Sequence, residues 1–208
     1  MSLENSKAIE RSVDGVARIY AIVVGLALAE SIKTFIARDP FSGNPDLSAA
    51  KLLSATPALI AFVVTLVPFW HGMNRHLDRC YLERPGAIKY RALLFDFSVF
   101  FLEAGLLFLA GWSLRFYLVT FYSIGSVLLL DTIWGFISHG IHFDGKKSHA
   151  KTWAIINLIA GVFSLIVVFV SPVNAAAWLL MFIAIGRTIA DYKCGWEFYF
   201  PESSSPVE

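Results

Sequence analysis

The 208-residue chain is 57% hydrophobic and only 16% charged, with a mean hydropathy of +0.64. Soluble domains carry about a quarter charged residues, and one core of this size could not bury so much apolar surface. The composition therefore predicts a membrane protein. The net charge of +1 excludes a strongly basic nucleic-acid-binding protein, so no nucleic-acid partner is expected.

Six apolar stretches approach the roughly 20 residues that a membrane-spanning helix needs. They cover residues 15–34, 52–69, 92–112, 116–137, 153–170 and 175–189. The strands of a membrane barrel would instead alternate apolar and polar residues over about ten positions. These runs are continuous and longer, so the sequence predicts an all-α integral membrane protein, a polytopic bundle of about six transmembrane helices.

The first stretch also allows a second interpretation. It begins with basic residues and continues with the apolar "IYAIVVGL" and the small residues of "ALA". This pattern resembles that of a signal peptide. The segment before Ile19 is long and carries acids as well as bases, which favours a retained helix. Four or five spans, with the first helix lying flat on the membrane, form the alternative to six.

The chain shows no linker that would divide it, so residues 1–195 are predicted to form a single transmembrane helical domain. The rest, 196–208, begins with aromatic residues in "GWEFYF" and ends in the polar "PESSSPVE". Trp and Tyr favour the headgroup layer of a bilayer. We therefore expect interfacial aromatics followed by a disordered polar tail.

Loop charge predicts the orientation. Two connections, "GMNRHLDRCYLERPGAIKYR" and "HFDGKKSHAK", are rich in Lys and Arg, whereas the connection "SPVN" has no charge. Basic loops stay in the cytoplasm, which places these two connections and both termini there, and the bacterial inner membrane is the predicted location. Five basic residues are expected to face anionic headgroups or a soluble cytoplasmic protein partner: Arg75, Arg79, Arg84, Lys146 and Lys147.

Ionisable residues within spanning segments are costly and point to function. The candidates for an ion pathway or for buried charge are Glu30, Asp96, Glu103, Asp131, Arg187 and Asp191. Either they form buried ion pairs in an oligomeric bundle, or some of the acids line a route for protons or cations.

Spacing suggests how these charges are used. Asp96 and Glu103 are seven residues apart and share a helix face, whereas Arg187 and Asp191 are four apart and can pair. Arg187 is also expected to bridge to Asp96 or Asp131. Glu103 is the strongest candidate for a route, because it is nearest mid-span and its own helix offers no basic partner. Glu30 has Lys33 one turn away and is expected to be interfacial.

The histidines all fall near the predicted cytoplasmic ends of helices. Imidazole is a common metal ligand, so His71, His76, His139 and His142 are candidates for a zinc-type site assisted by Asp78 or Asp144. Spacings of five and three on two helices are weak metal signals, and histidine is also ordinary at a membrane interface. The sequence therefore favours the interface. Cys80 and Cys194 are expected to stay reduced.

No nucleophile elbow, phosphate loop or nucleotide fingerprint is present, so neither an enzyme nor a cofactor is predicted. We expect a homo-oligomeric protein of the lipid bilayer that forms or gates an ion or proton pathway. One alternative is a non-conducting sensor or anchor that docks a soluble cytoplasmic protein of a stress or defence system. The other is a histidine-dependent metal enzyme of the membrane.

Overall fold

A computed structural model describes residues 3–36, 49–83, 90–142 and 149–201, and these ranges are almost entirely helical. The helices are α1 (Leu3–Ile36), α2 (Ala49–Leu77), α3 (Tyr90–Trp112), α4 (Tyr117–His142), α5 (His149–Val170), α6 (Val173–Cys194) and the short α7 (Trp196–Tyr199). A π-helical segment, Asp78–Leu82, continues α2. Six of the described helices are long and apolar enough to cross a membrane, which confirms the predicted helical class and the predicted number of helices of spanning length.

The helices extend beyond the apolar stretches that predicted them. α1 begins at Leu3 rather than at residue 15, and α2 with its π-helical continuation reaches Leu82 rather than residue 69. Apolar length measures only the part of a helix that suits lipid, whereas backbone hydrogen bonds continue through polar residues as well. The extension of α2 matters most, because it carries His71 and His76 on a helix rather than in a loop.

The six long helices form a ring in the order α1, α3, α4, α5, α6, α2 and back to α1. Helices that are joined by turns at residues 113–116 and 171–172 run antiparallel. We call this end of the bundle the turn end; α1 also finishes there, since Thr34 Oγ1 contacts the Trp112 carbonyl at 3.4 Å. The opposite end, where α2, α4 and α6 finish, is the loop end.

Small residues let two pairs of helices approach closely. A Cβ on Gly111 would lie 2.5 Å from the Ala27 carbonyl oxygen, and one on Gly135 would lie 2.8 Å from that of Ala150. Helix association in lipid depends on such packing, because lipid is as apolar as the helix surfaces. The α1–α3 and α4–α5 contacts therefore need glycine at these positions.

Pro68 connects α2 to α6 through the backbone. A proline inside a helix removes the N–H that would bond to the carbonyl four residues earlier. That carbonyl belongs to Val64, and it accepts a hydrogen bond of 2.6 Å from Thr188 Oγ1 on α6. The Val64 carbonyl, which Pro68 leaves without a partner in its own helix, is thus satisfied by a neighbouring helix, as polar backbone groups in apolar surroundings must be.

The exterior of the bundle is apolar, and Phe169 is 74% exposed. The interior contains apolar side chains such as Phe62, Leu107 and Val127 together with buried polar groups. An exterior of this composition fits a lipid surrounding and an integral membrane protein. The predicted polar tail after residue 201 lies outside the described residues.

Candidate functional site

Two groups of buried polar side chains occupy the centre of the ring. The histidine cluster lies nearer the loop end and consists of His76, Cys80, Tyr81, Asp96, Trp134 and His142. The arginine cluster consists of Glu103, Asp131, Asn157, Arg187, Asp191 and Tyr199. Trp134 separates them, because its indole N–H bonds to Asp96 while its ring also lines the cavity of the arginine cluster.

Asp96 on α3 is the hub of the histidine cluster and is 0% exposed. Its Oδ2 lies 2.9 Å from His76 Nε2 and 3.2 Å from His142 Nε2. Tyr81 donates to the same oxygen at 2.7 Å, and Trp134 donates to Oδ1 at 2.9 Å. Four partners from three other elements thus surround one carboxylate, as a buried charge requires.

This arrangement differs from what the sequence suggested for two residues. His76 was expected at a wet interface, but it is 1% exposed, because α2 stays helical to Leu77 and turns this side chain toward α3. Asp96 was a possible partner for Arg187, but it pairs with His76 instead. The partner of Arg187 must therefore be sought among the deeper acids.

Arg187 is the centre of the arginine cluster. Its Nε donates to Asn157 Oδ1 at 2.7 Å, and Asn157 Nδ2 donates to Asp131 Oδ2. Its Nη2 lies 3.4 Å from Asp191 Oδ2, so the predicted pairing of residues four apart is present. The guanidinium also packs 4.9 Å above the Phe69 ring. The expected bridge to Asp131 exists, but it passes through Asn157.

Glu103 is 1% exposed and faces Asp131 closely enough for the two carboxyl groups to share a proton. Glu103 Oε1 has no hydrogen-bond partner within the described part of the chain, and Arg187 Nη1 has none there either. Buried polar groups are nearly always satisfied. Incomplete bonding therefore distinguishes this cluster from the histidine cluster.

A cavity of about 20 Å³ opens among these groups, which is room for about one water molecule. It reaches from the loop end toward Glu103, and its walls combine aromatic rings with ionisable side chains. The lining residues are Pro68, Phe69, Gly72, Met73, Phe100, Glu103, Asp131, Trp134, Trp153, Arg187, Asp191 and Tyr199.

Tyr199 on α7 closes the loop end of this cavity. Its hydroxyl donates to Asp191 Oδ2 at 3.0 Å. Burial, and then the adjacent Asp191 carboxyl, raise the pKa of the Tyr199 phenol, so it acts as a neutral donor near pH 7. Phe198 is also buried, whereas Trp196 and Phe200 on the same segment are exposed.

The other predicted site residues lie apart from both clusters or outside the described ranges. Glu30 pairs with Lys33 at 2.9 Å near the surface, as its spacing indicated. His71 contacts the Tyr192 hydroxyl at 3.3 Å. His139 is partly buried near the end of α4 and is not part of the group of potential metal ligands found among the described residues. Arg84, Asp144, Lys146 and Lys147 are outside the described ranges.

Two of the predicted docking residues are engaged within the chain. Arg75 donates to the Phe198 carbonyl at 3.1 Å and also reaches Asp78 and Glu83. Arg79 lies 5.7 Å from the Phe198 ring centre. Both side chains thus hold α7 against the end of α2.

Several residues of the clusters were not identified from the sequence. Asn157 could have been, because a lone amide inside the span "WAIINLIAGVFSLIVVFV" is as unusual as a charge. Cys80 follows His76 by four residues, one turn of a helix. Tyr81 and Trp134 gave no signal, since aromatic residues are common throughout the chain. Tyr199 was expected among the interfacial aromatics, but it is buried against Asp191.

Comparison with protein-family models, with curated proteins and with solved structures finds no match for this chain.

Proposed function

We propose that the protein carries protons or small cations through a membrane, with the carboxyl groups of Glu103, Asp131 and Asp191 as the binding groups. One observation supports this above all: among the described residues, three buried carboxyl groups line a cavity together with a single guanidinium, that of Arg187.

The balance of charge supplies the physical reason. If all three carboxyl groups were ionised, one guanidinium would leave two negative charges uncompensated in a buried site. Unpaired charges in such surroundings cost several kcal/mol each, roughly. Bound protons or a bound cation would restore the balance. Acids inside a spanning bundle commonly serve proton relays and ion routes for this reason.

The interior also supports a gated route rather than an open pore. On the loop side, polar groups extend from Tyr199 and Asp191 to Glu103. Glu103 lies about 20 Å along α3 from the start of that helix, at a rise of 1.5 Å per residue. Beyond Glu103 toward the turn end, Phe62 and Leu107 are fully buried, and Gly111 packs on Ala27. In the proposed cycle, this closely packed half, whose buried polar groups include the hydroxyls of Ser113 and Thr120, opens to release the ion that the carboxyl groups have bound.

Flux through proteoliposomes tests the proposal. Wild type and Glu103→Gln are reconstituted, and the movement of protons, potassium and sodium is measured under imposed gradients. Glutamine keeps the volume of the side chain but removes its charge. Hydrogen bonds to charged groups contribute about 1.5–3 kcal/mol, so flux of the transported ion should fall about tenfold or more.

The matched control is Glu30→Gln, which removes a carboxyl group that pairs with Lys33 at the surface. It should keep wild-type flux. Equal flux from wild type and Glu103→Gln, or no flux of any of the three ions from wild type, would contradict the proposal.

We further propose that the working unit is a homo-oligomer, since symmetric assembly is the usual arrangement of such subunits. Native mass spectrometry in mild detergent checks this, and a strictly monomeric mass would contradict it.

A further inference from the structure

The histidine cluster contains a set of metal-ligating atoms that the proposed ion route does not use. The ligand atoms of His76, Cys80 and His142 all lie within 4.8 Å of one another. His76 and Cys80 are one helical turn apart at the end of α2 and in the π-helical segment, and the fold brings His142 of α4 to them. We infer that these three residues form a binding site for a divalent transition metal of the zinc type.

The separation of the first two ligand atoms fits a tetrahedral metal. Cys80 Sγ lies 3.7 Å from His76 Nδ1. Zinc binds sulfur at about 2.3 Å and nitrogen at about 2.0–2.1 Å, so two such ligands at the tetrahedral angle are about 3.6 Å apart. An ion could therefore bind between these atoms with almost no movement of α2 or the π-helical segment.

His76 Nε2, the ring nitrogen that would not bind the metal, has the kind of hydrogen-bond partner that metal-ligating histidines usually have. Histidine ligands almost always donate their other ring N–H to a carboxylate or a carbonyl, which fixes the tautomer and the ring orientation. His76 Nε2 lies 2.9 Å from Asp96 Oδ2, and a carboxylate can only accept there. The lone pair of Nδ1 consequently points toward Cys80.

Asp96 is itself fixed on both oxygens, by Tyr81 and by Trp134. His76 is thus hydrogen-bonded to a carboxylate whose orientation is fixed by other partners. This support extends over three helices and the π-helical segment.

The π-helical segment explains how the thiol reaches this position. Cys80 and the adjacent Tyr81 are both buried, Cys80 next to His76 and Tyr81 against Asp96. The wider π-helical turn directs both side chains into the bundle. Single π-helical turns inside α-helices occur frequently at functional sites.

The ligand types select the class of metal. Imidazole and thiolate suit zinc and related transition metals, whereas calcium and magnesium require oxygen ligands. His142 is the most accessible of the three, with 11% of its side chain exposed. Its Nε2 lies 3.2 Å from Asp96 Oδ2, so its ring must shift from this contact to complete the site. Three protein ligands leave a fourth position for water, and the thiol proton is released to solvent when the metal–sulfur bond forms.

Cobalt(II) titration tests the site, because tetrahedral cobalt reports a bound thiolate by a charge-transfer band in the near ultraviolet. The chain has two cysteines, and Cys194 is exposed on α6. In the Cys194→Ser protein, Cys80 is therefore the sole thiol. This protein should bind one cobalt per chain, show the band and lose it when zinc is added. The Cys80→Ser protein should show no band.

Two further measurements keep the test decisive if a variant folds poorly. Zinc should slow the alkylation of Cys80 by a maleimide in the Cys194→Ser protein. Replacing the supporting hydroxyl in Tyr81→Phe should weaken cobalt binding by about 10–100-fold. The inference is overturned if Cys194→Ser shows no band, or if zinc leaves the alkylation rate unchanged. Neither result bears on ion flux through Glu103.

Discussion

The two buried clusters treat carboxyl groups in opposite ways. Asp96 is surrounded by four partners that approach both of its oxygens. Glu103 and Asp131 instead face each other, and Glu103 Oε1 has no donor within the described residues. A carboxylate saturated with donors is fixed in place and can orient a neighbour. A carboxyl group short of donors is stabilised by binding a proton or a cation, as the proposed transport requires.

The largest effect is expected from Asp96→Ala, which breaks the saturated cluster. Interhelical hydrogen bonds in membrane proteins contribute about 0.6 kcal/mol on average and up to about 1.7. Loss of four should lower the free energy of unfolding by about 3 kcal/mol, measured by detergent-induced unfolding in mixed micelles. The control Glu30→Ala should cost about 0.5 kcal/mol or less, because exposed ion pairs contribute little. Equal costs would show that Asp96 is not a structural hub.

The next largest loss of stability is expected when one partner of the Arg187–Asp191 pair is removed. Arg187→Gln and Asp191→Asn should each lower the free energy of unfolding by about 2 kcal/mol, since a buried polar group left without its partner costs about 1–3 kcal/mol. The double variant should cost about 1 kcal/mol less than the sum of the two single variants. A double-mutant cycle measures this difference, and strict additivity would argue against the pair.

Trp134→Phe tests the wall between the clusters. It removes the N–H bond to Asp96 but keeps an aromatic ring beside His76, whose ring centre lies 4.7 Å from that of Trp134. The free energy of unfolding should fall by about 1 kcal/mol, the size of one such bond. Trp178→Phe, at an exposed position on α6, serves as the control and should be nearly silent in the same unfolding assay.

The smallest change in stability should come from Glu103→Gln, and comparison with Asp96→Asn makes the contrast between the clusters quantitative. Both substitutions replace a carboxyl group by an amide of equal size. At Glu103 the amide supplies donors where they are lacking, so the cost should be under about 0.5 kcal/mol. At Asp96 an amide N–H₂ would face existing donors, and the cost should be about 1–2 kcal/mol. Equal costs in the unfolding assay would remove the distinction.

Much of the fold was predictable because apolar length depends on local sequence alone. The six helices of spanning length follow from the apolar runs, and the Glu30–Lys33 and Arg187–Asp191 pairs follow from spacing along one helix. The pairings between side chains on different helices could not be predicted in this way. Arg187 reaches Asp131 only through Asn157, and the identity of that third residue depends on how α5 is turned relative to α4 and α6.

His76 shows most clearly what could not be predicted from the sequence. A histidine at the end of an apolar stretch is equally compatible with an interface and with a buried cluster, and the outcome depends on whether the helix continues. Here α2 continues to Leu77 and passes into a π-helical segment that brings Cys80 and Tyr81 inward. The change from α to π geometry has no signature in the residues "DRCYL", so the composition of the histidine cluster could not be derived from sequence.

The order of helices in the ring has a consequence for synthesis. α2 is made second, yet its neighbour α6 is made last among the long helices, and Thr188 of α6 provides the donor for the Val64 carbonyl that Pro68 leaves free. A nascent chain that has not yet produced α6 holds that carbonyl without its final partner. Ring closure must therefore await the last span, and a chain truncated before Thr188 would present a polar defect that cellular quality control could recognise.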